Sequence, residues 1–170
     1  VTGGGSETDS YSITVASGYD YRVEFNPDDA LRVYYDGSAT GTWIWDDATE
    51  VDPGGNPNYI DITISSGNTI SGTITGLGDG QGVWIRARNI NNTPDNWDDD
   101  FWFDTNVTGG GTETDGYTIH VAPEQGYRVE FTPDDGVLVY YDGSTTTGTY
   151  RWQDASLLDV TSDVGGIDID

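Results

Sequence analysis

Apolar and polar side chains alternate in short runs along most of this chain. Tyr11-Ser12-Ile13-Thr14-Val15 is apolar at every second position, and Tyr21-Arg22-Val23-Glu24-Phe25 repeats the pattern with charges between. Side chains of an extended chain point to opposite faces with a period of two, so such runs predict half-buried β-strands. The same pattern predicts strands over 31–35, 42–45, 60–64, 69–75, 83–88, 117–121, 127–131, 137–141, 149–152 and 167–170. Within 83–88, Val83, Ile85 and Ala87 form the inner face and Trp84, Arg86 and Arg88 the outer one. Asn26-Pro27-Asp28-Asp29, the acidic Pro/Gly-rich stretch 46–58 and the glycine-rich stretch 76–82 separate the runs; proline cannot donate to a ladder, and aspartate and glycine favour turns. The segment 89–100 is the most irregular, closed by Phe101-Trp102-Phe103. No segment keeps helical spacing over three turns. Strands recurring about every eight to twelve residues indicate an all-β chain of antiparallel sandwich type.

One stretch occurs twice. Glu7 to Phe25 (ETDSYSITVASGYDYRVEF) returns as Glu113 to Phe131 (ETDGYTIHVAPEQGYRVEF). The match extends to Val1-Thr2-Gly3-Gly4-Gly5 against Val107-Thr108-Gly109-Gly110-Gly111, and to Val33-Tyr34-Tyr35-Asp36-Gly37-Ser38 against Val139-Tyr140-Tyr141-Asp142-Gly143-Ser144. This is internal duplication. A second order of motifs runs through the later part: Ile70-Ser71-Gly72-Thr73-Ile74-Thr75, Gly80-Gln81-Gly82-Val83-Trp84-Ile85, Thr114-Asp115-Gly116-Tyr117-Thr118-Ile119 and Gly126-Tyr127-Arg128-Val129-Glu130-Phe131. Tyr141-Asp142-Gly143, Asp154-Ala155 and Ile167-Asp168-Ile169 follow. In this order the motifs resemble the carboxypeptidase regulatory-like (CnaB-type, transthyretin-like) β-sandwich repeat of secreted bacterial surface and fibre proteins.

The resemblance implies tandem antiparallel β-sandwich modules: a complete one over 65–170, and over 1–64 the rear part of another that lacks its N-terminal strands. A sandwich without its opening strands exposes Tyr11, Ile13, Val15, Val23 and Phe25, and each large apolar side chain left in water forgoes about 1.5–3 kcal/mol. Early closure as a shorter sandwich, a continuous tandem array, or strands supplied by a neighbouring subunit would cover that face. The last two give head-to-tail contacts that do not close on themselves, so the expected product is a filament of copies of this chain. The expected assembly strands carry Tyr11, Ile13, Val15, Val23, Phe25, Ile167 and Ile169. Pilin-type members of the family often carry a lysine–asparagine isopeptide bond; this chain has no lysine, so neither that bond nor sortase linkage through lysine can form.

Charge narrows the partners. The 170 residues carry 30 acidic and 6 basic side chains, a formal net charge of -24, and every cation is arginine. Phosphate backbones and anionic lipids would be repelled, so neither nucleic acid nor membrane insertion is expected. No apolar run reaches transmembrane length. Cysteine is absent, which excludes a disulfide framework. Methionine is also absent and the first residue is Val1, so the chain is expected to be a processed product or a window on something longer. A secreted, extracellular or cell-surface setting suits the charge. Asn91-Asn92-Thr93 and Asn106-Val107-Thr108 are glycosylation sequons, making Asn91 and Asn106 candidates.

Chemical machinery is sparse. His120 is the only histidine, on the face of its strand opposite Tyr117, Ile119 and Val121, with no nucleophile motif to complete a triad. A glycosidase needs two acids across a cleft, which small sandwiches do not offer. No enzyme and no required cofactor are expected. Calcium is the candidate ion: Asp95, Asp98, Asp99 and Asp100 crowd one loop and offer hard oxygen ligands, against the plainer reading of a solvated acidic turn. Trp43, Trp45, Trp84, Trp97, Trp102 and Trp152 suggest the rival function, a carbohydrate-binding module stacking polysaccharide rings, against ordinary aromatic packing. A spacer domain of a larger adhesin is the third reading.

Overall fold

The computed structural model describes residues 8–54, 59–91, 100–111, 113–144 and 147–170. The described residues form an all-β chain of antiparallel sheets, with single 3-10 turns at Trp45–Asp47 and Trp152–Asp154 and no α-helix among them. Strands β1 (Glu24–Phe25) and β2 (Val33–Tyr34) pair as a small antiparallel ribbon. The longer strands come later: β3 (Asn68–Thr75), β4 (Gly82–Asn89), β5 (Phe101–Thr108), β6 (Thr114–Val121) and β7 (Gln125–Pro133). Two short ones follow, β8 (Val139–Tyr140) and β9 (Leu158–Asp159).

These strands build a sandwich-like body. β3 pairs antiparallel with β6 along its whole length, Ile70 opposite Ile119 and Gly72 opposite Tyr117. The final segment runs parallel on the other edge of β3, bridging Ile70 to Val164 and Ile74 to Ile169. The facing sheet has the order β5-β4-β7-β8, with β9 also against β7. The alternation of β4 fixes its orientation: Val83, Ile85 and Ala87 are buried toward β3 and β6 in the common core, while Trp84, Arg86 and Arg88 lie on the outer face. Phe101, Phe103, Tyr127, Val129 and Phe131 join that core from one side, Ile70, Ile74, Tyr117, Ile119 and Val121 from the other.

The outer face explains the arginine-only composition. Arg86 stacks over Trp84 at 3.9 Å and near Trp102 at 5.2 Å, while Arg128 and Arg88 lie 4.6 and 5.2 Å from the Trp152 ring. In the first copy Arg22 stacks on Trp45 and Arg32 on Tyr34. A planar guanidinium can stack on a ring and pair with a carboxylate at once, as Arg86 does with Glu130 at 3.2 Å; a lysine ammonium has no flat face for this.

Several expected strands are absent. Residues 11–15 and 60–64 form none, although their alternation equals that of β6, because a ladder needs a partner strand and among the described residues neither run has one. The runs at 42–45 and 149–152 give only single bridges, Tyr34 to Thr42 and Tyr140 to Thr149, before the chain tightens into the 3-10 turns. The run at 167–170 is likewise held by isolated contacts. Conversely, β5 continues past Phe103 to Thr108 because β4 offers it a full-length edge.

Candidate functional site

The two copies of the repeat fold alike at the level of single contacts. Tyr117 Oη donates to the Ile167 carbonyl at 2.7 Å, and Tyr11 Oη donates to the Ile60 carbonyl at 2.7 Å. Tyr127 Oη donates to Ala122 O at 3.0 Å, and Tyr21 Oη to Ala16 O at 2.9 Å. The Tyr141 amide meets Val129 O and the Tyr35 amide meets Val23 O, both at 2.9 Å. Tyr117 and Phe131 pack edge to face with ring centroids 5.8 Å apart, as do Tyr11 and Phe25 at 5.4 Å. The same residues in the two copies thus make the same contacts, some of them across about fifty residues of chain.

Their surroundings differ. In the second copy β3 lies between β6 and the segment around Ile167. Among the described residues no strand pairs with 11–15 as β3 pairs with β6. A cavity of about 580 Å³ opens there, lined by residues 8–13 and 59–61 together with Val15, Val23 and Val51. The exposures measure the difference: Ile13 is 64% and Val15 40% exposed, whereas Ile119 is 2% and Val121 0%. Tyr11 is 36% exposed and its counterpart Tyr117 6%.

The polar groups of the slot repeat those of the filled site. Burial, then Asp168 and Tyr141, push the Tyr117 hydroxyl well above the usual tyrosine range; burial, then Asp61 and Tyr35, raise that of Tyr11. In the filled site Asp168 Oδ1 accepts from the Thr73 amide at 2.9 Å and from its hydroxyl at 2.8 Å. Asp61 is the matching residue beside the slot. Asp61, Ile60 and Gly72 are not among the site residues expected from the sequence, although Ile60-Asp61-Ile62 recurs as Ile167-Asp168-Ile169.

Of the assembly residues expected from the sequence, Tyr11, Ile13, Val15 and Val23 line the slot, and Phe25 is half-buried against Tyr11. Ile167 and Ile169 are elsewhere: both are buried beside β3 of their own body, so their apolar surface is already used. Asn106 is exposed on β5, and Asn91 is exposed with a positive φ of 45° at the turn after β4. Asp95, Asp98 and Asp99 fall outside the described residues. Asp100 is half-buried, its side chain 4% exposed, and pairs with Arg88 at 2.7 Å, and among the described residues no group of three or more histidines and carboxylates is placed to hold a metal. His120 Nδ1 lies 2.9 Å from Ser66 O on the outer side of β6.

The tryptophans are largely engaged. Trp84 lies under Arg86 and donates Nε1–H to Asp104 at 2.7 Å; Trp45 and Trp152 are stacked edge to face on Tyr34 and Tyr140; Trp43 packs against the core. Trp97 falls outside the described residues. No described helix is long and apolar enough to cross a membrane. Comparison with protein-family models, curated proteins and solved structures finds no match to this chain. The second copy of the repeat thus serves as the internal reference for the first.

Proposed function

We propose that this chain is a structural subunit of an extracellular self-assembling filament, joined head to tail by strand complementation between carboxypeptidase regulatory-like β-sandwich modules. Residues 65–170 act as a complete module and residues 1–64 as the rear of another, whose missing wall comes from a neighbouring copy. The observation that carries this reading is the pair Ile13 and Ile119: the same repeat position, 64% exposed in one copy and 2% in the other. Covering the exposed parts of Ile13 and Val15 would contribute about 1.5–3 kcal/mol together, one part of what association requires beside the main-chain bonds of a paired strand.

A contact inside the chain supports the same direction of assembly. Leu31, from the first copy, is 3% exposed within the core of the second body; its amide donates to Ser65 O at 3.0 Å, and Arg32 Nη2 donates to Trp102 O at 2.9 Å. The corresponding residue of the second copy, Val137, is 68% exposed. One end of the 65–170 body thus receives a neighbour while its other end offers the matching apolar residue. A heterologous contact of this kind propagates. The role requires neither a catalytic residue nor a cofactor.

Negative-stain microscopy and sedimentation velocity test the reading. Wild-type protein should form filaments as salt rises and the mutual repulsion of chains carrying -24 is screened, and Ile13→Asp, a change at an exposed position, should stay dispersed. Dispersed wild-type monomers at every salt and calcium concentration would contradict it.

A further inference from the structure

The filled site specifies what the empty one accepts. In the second copy Gly72 stands opposite Tyr117, and Tyr117 Oη holds the Ile167 carbonyl at 2.7 Å. A Cβ at Gly72 would collide with that same carbonyl. The tyrosine–carbonyl contact and a side chain at this strand position therefore exclude each other, and glycine is the residue that lets the strand pass. The first copy already holds Tyr11 on the Ile60 carbonyl at 2.7 Å, with no strand beside it among the described residues. The restriction is built into the slot before anything enters.

We infer that the slot of the first copy binds an extended segment with the sequence of β3, Asn-Thr-Ile-Ser-Gly-Thr-Ile-Thr, from another copy of the repeat, in the register that sets its glycine opposite Tyr11. The inference rests on the strand-complementation reading of the same slot and adds the ligand, its register and its specificity. Register follows from the second copy: the isoleucine at position 70 meets Ile119 there and meets Ile13 here, and the asparagine at position 68 meets Val121 there and Val15 here. The threonine after the glycine donates from both amide and hydroxyl to Asp168, and Asp61 receives it in the slot. Main-chain bonds on that side join Ile167 N to Ser71 O, Ile169 N to Thr73 O and Thr75 N to Ile169 O, at 3.2, 3.0 and 2.9 Å; Ile60 and Ile62 occupy the corresponding places. The segment carries no charge, so its entry adds no repulsion to a chain of -24. In the 65–170 body β3 is paired with β6 along its whole length, so the segment that enters the slot is a β3-type strand not already paired within a body of its own.

The test adds synthetic peptides to the full chain and follows amide hydrogen exchange at 11–15, with affinity from titration of the same signal. Peptide NTISGTIT should slow exchange there, the peptide with Gly72→Val should bind about tenfold more weakly or worse, and the peptide with Thr73→Val should be intermediate. Equal binding of all three peptides would overturn the glycine rule and leave only unspecific edge pairing. No protection by any peptide, in protein that still forms filaments, would overturn this inference and leave the assembly reading standing. No protection together with no filaments would remove both.

Discussion

Tyr11 and Tyr117 make one hydrogen bond in two environments, and the difference is measurable. A hydrogen bond lost from a buried site costs about 1 kcal/mol net, more if the acceptor is stranded, while at an exposed site water replaces it. Tyr117→Phe should therefore lower the stability of the chain by about 1–2 kcal/mol in urea unfolding, and Tyr11→Phe by less than about 0.5 kcal/mol. Glu130 gives a pH signature. Burial raises its carboxyl above the usual range, and Arg86 and Arg88 offset this only in part. A carboxyl with a raised folded value disfavours the native state once ionised. Its penalty is absent below the unfolded value of about 4.3 and develops as pH rises through the folded value, so Glu130→Gln should flatten the fall in urea midpoint between acid and neutral pH. Asp36 and Asp142, held low by Ser38 and Ser144, act in the opposite sense: their contribution is present above the ordinary aspartate range and is lost as pH falls through their lowered values. At this scale the alternation of Val83, Trp84, Ile85 and Arg86 was legible from sequence, because a period of two depends only on neighbours. The role of Gly72 was not, because the Ile167 carbonyl that makes glycine necessary comes from the far end of the chain.

β6 and the run at 11–15 show how far a strand depends on its partner. Their sequences are near copies, yet one pairs with β3 along its whole length and the other, among the described residues, has no ladder. Truncation should read out the same contrast. Ile119→Ala removes a side chain enclosed by the core and should cost about 2–5 kcal/mol, whereas Ile13→Ala in dispersed protein should stay within about 0.5 kcal/mol of wild type, both by urea unfolding. Strands 69–75, 83–88 and 127–131 were legible within a residue or two and 117–121 within three, since each finds the neighbour its pattern requires. The extension of β5 through Asp104, Thr105 and Asn106 was not, because those residues resemble a turn and only the register with β4 keeps them extended. The same reasoning explains 42–45 and 149–152, where glycine and threonine lead into 3-10 turns and the alternation is coincidental.

At the scale of the whole molecule, duplication was visible in the sequence. The slot itself required three dimensions, since Tyr11 and Ile60 are brought together only by folding, and so did the seating of Leu31 in the second body while Val137 stays in solvent. Charge opposes association of such chains at low ionic strength, and at physiological salt screening over about 8 Å weakens that opposition. The most direct measurement is amide hydrogen exchange over 11–15 and 117–121, compared between assembled and dispersed protein. Protection at 11–15 should be weak in dispersed chains and rise toward that of 117–121 on assembly. Exchange at 11–15 that stays as fast in assembled material as in dispersed chains would contradict strand complementation.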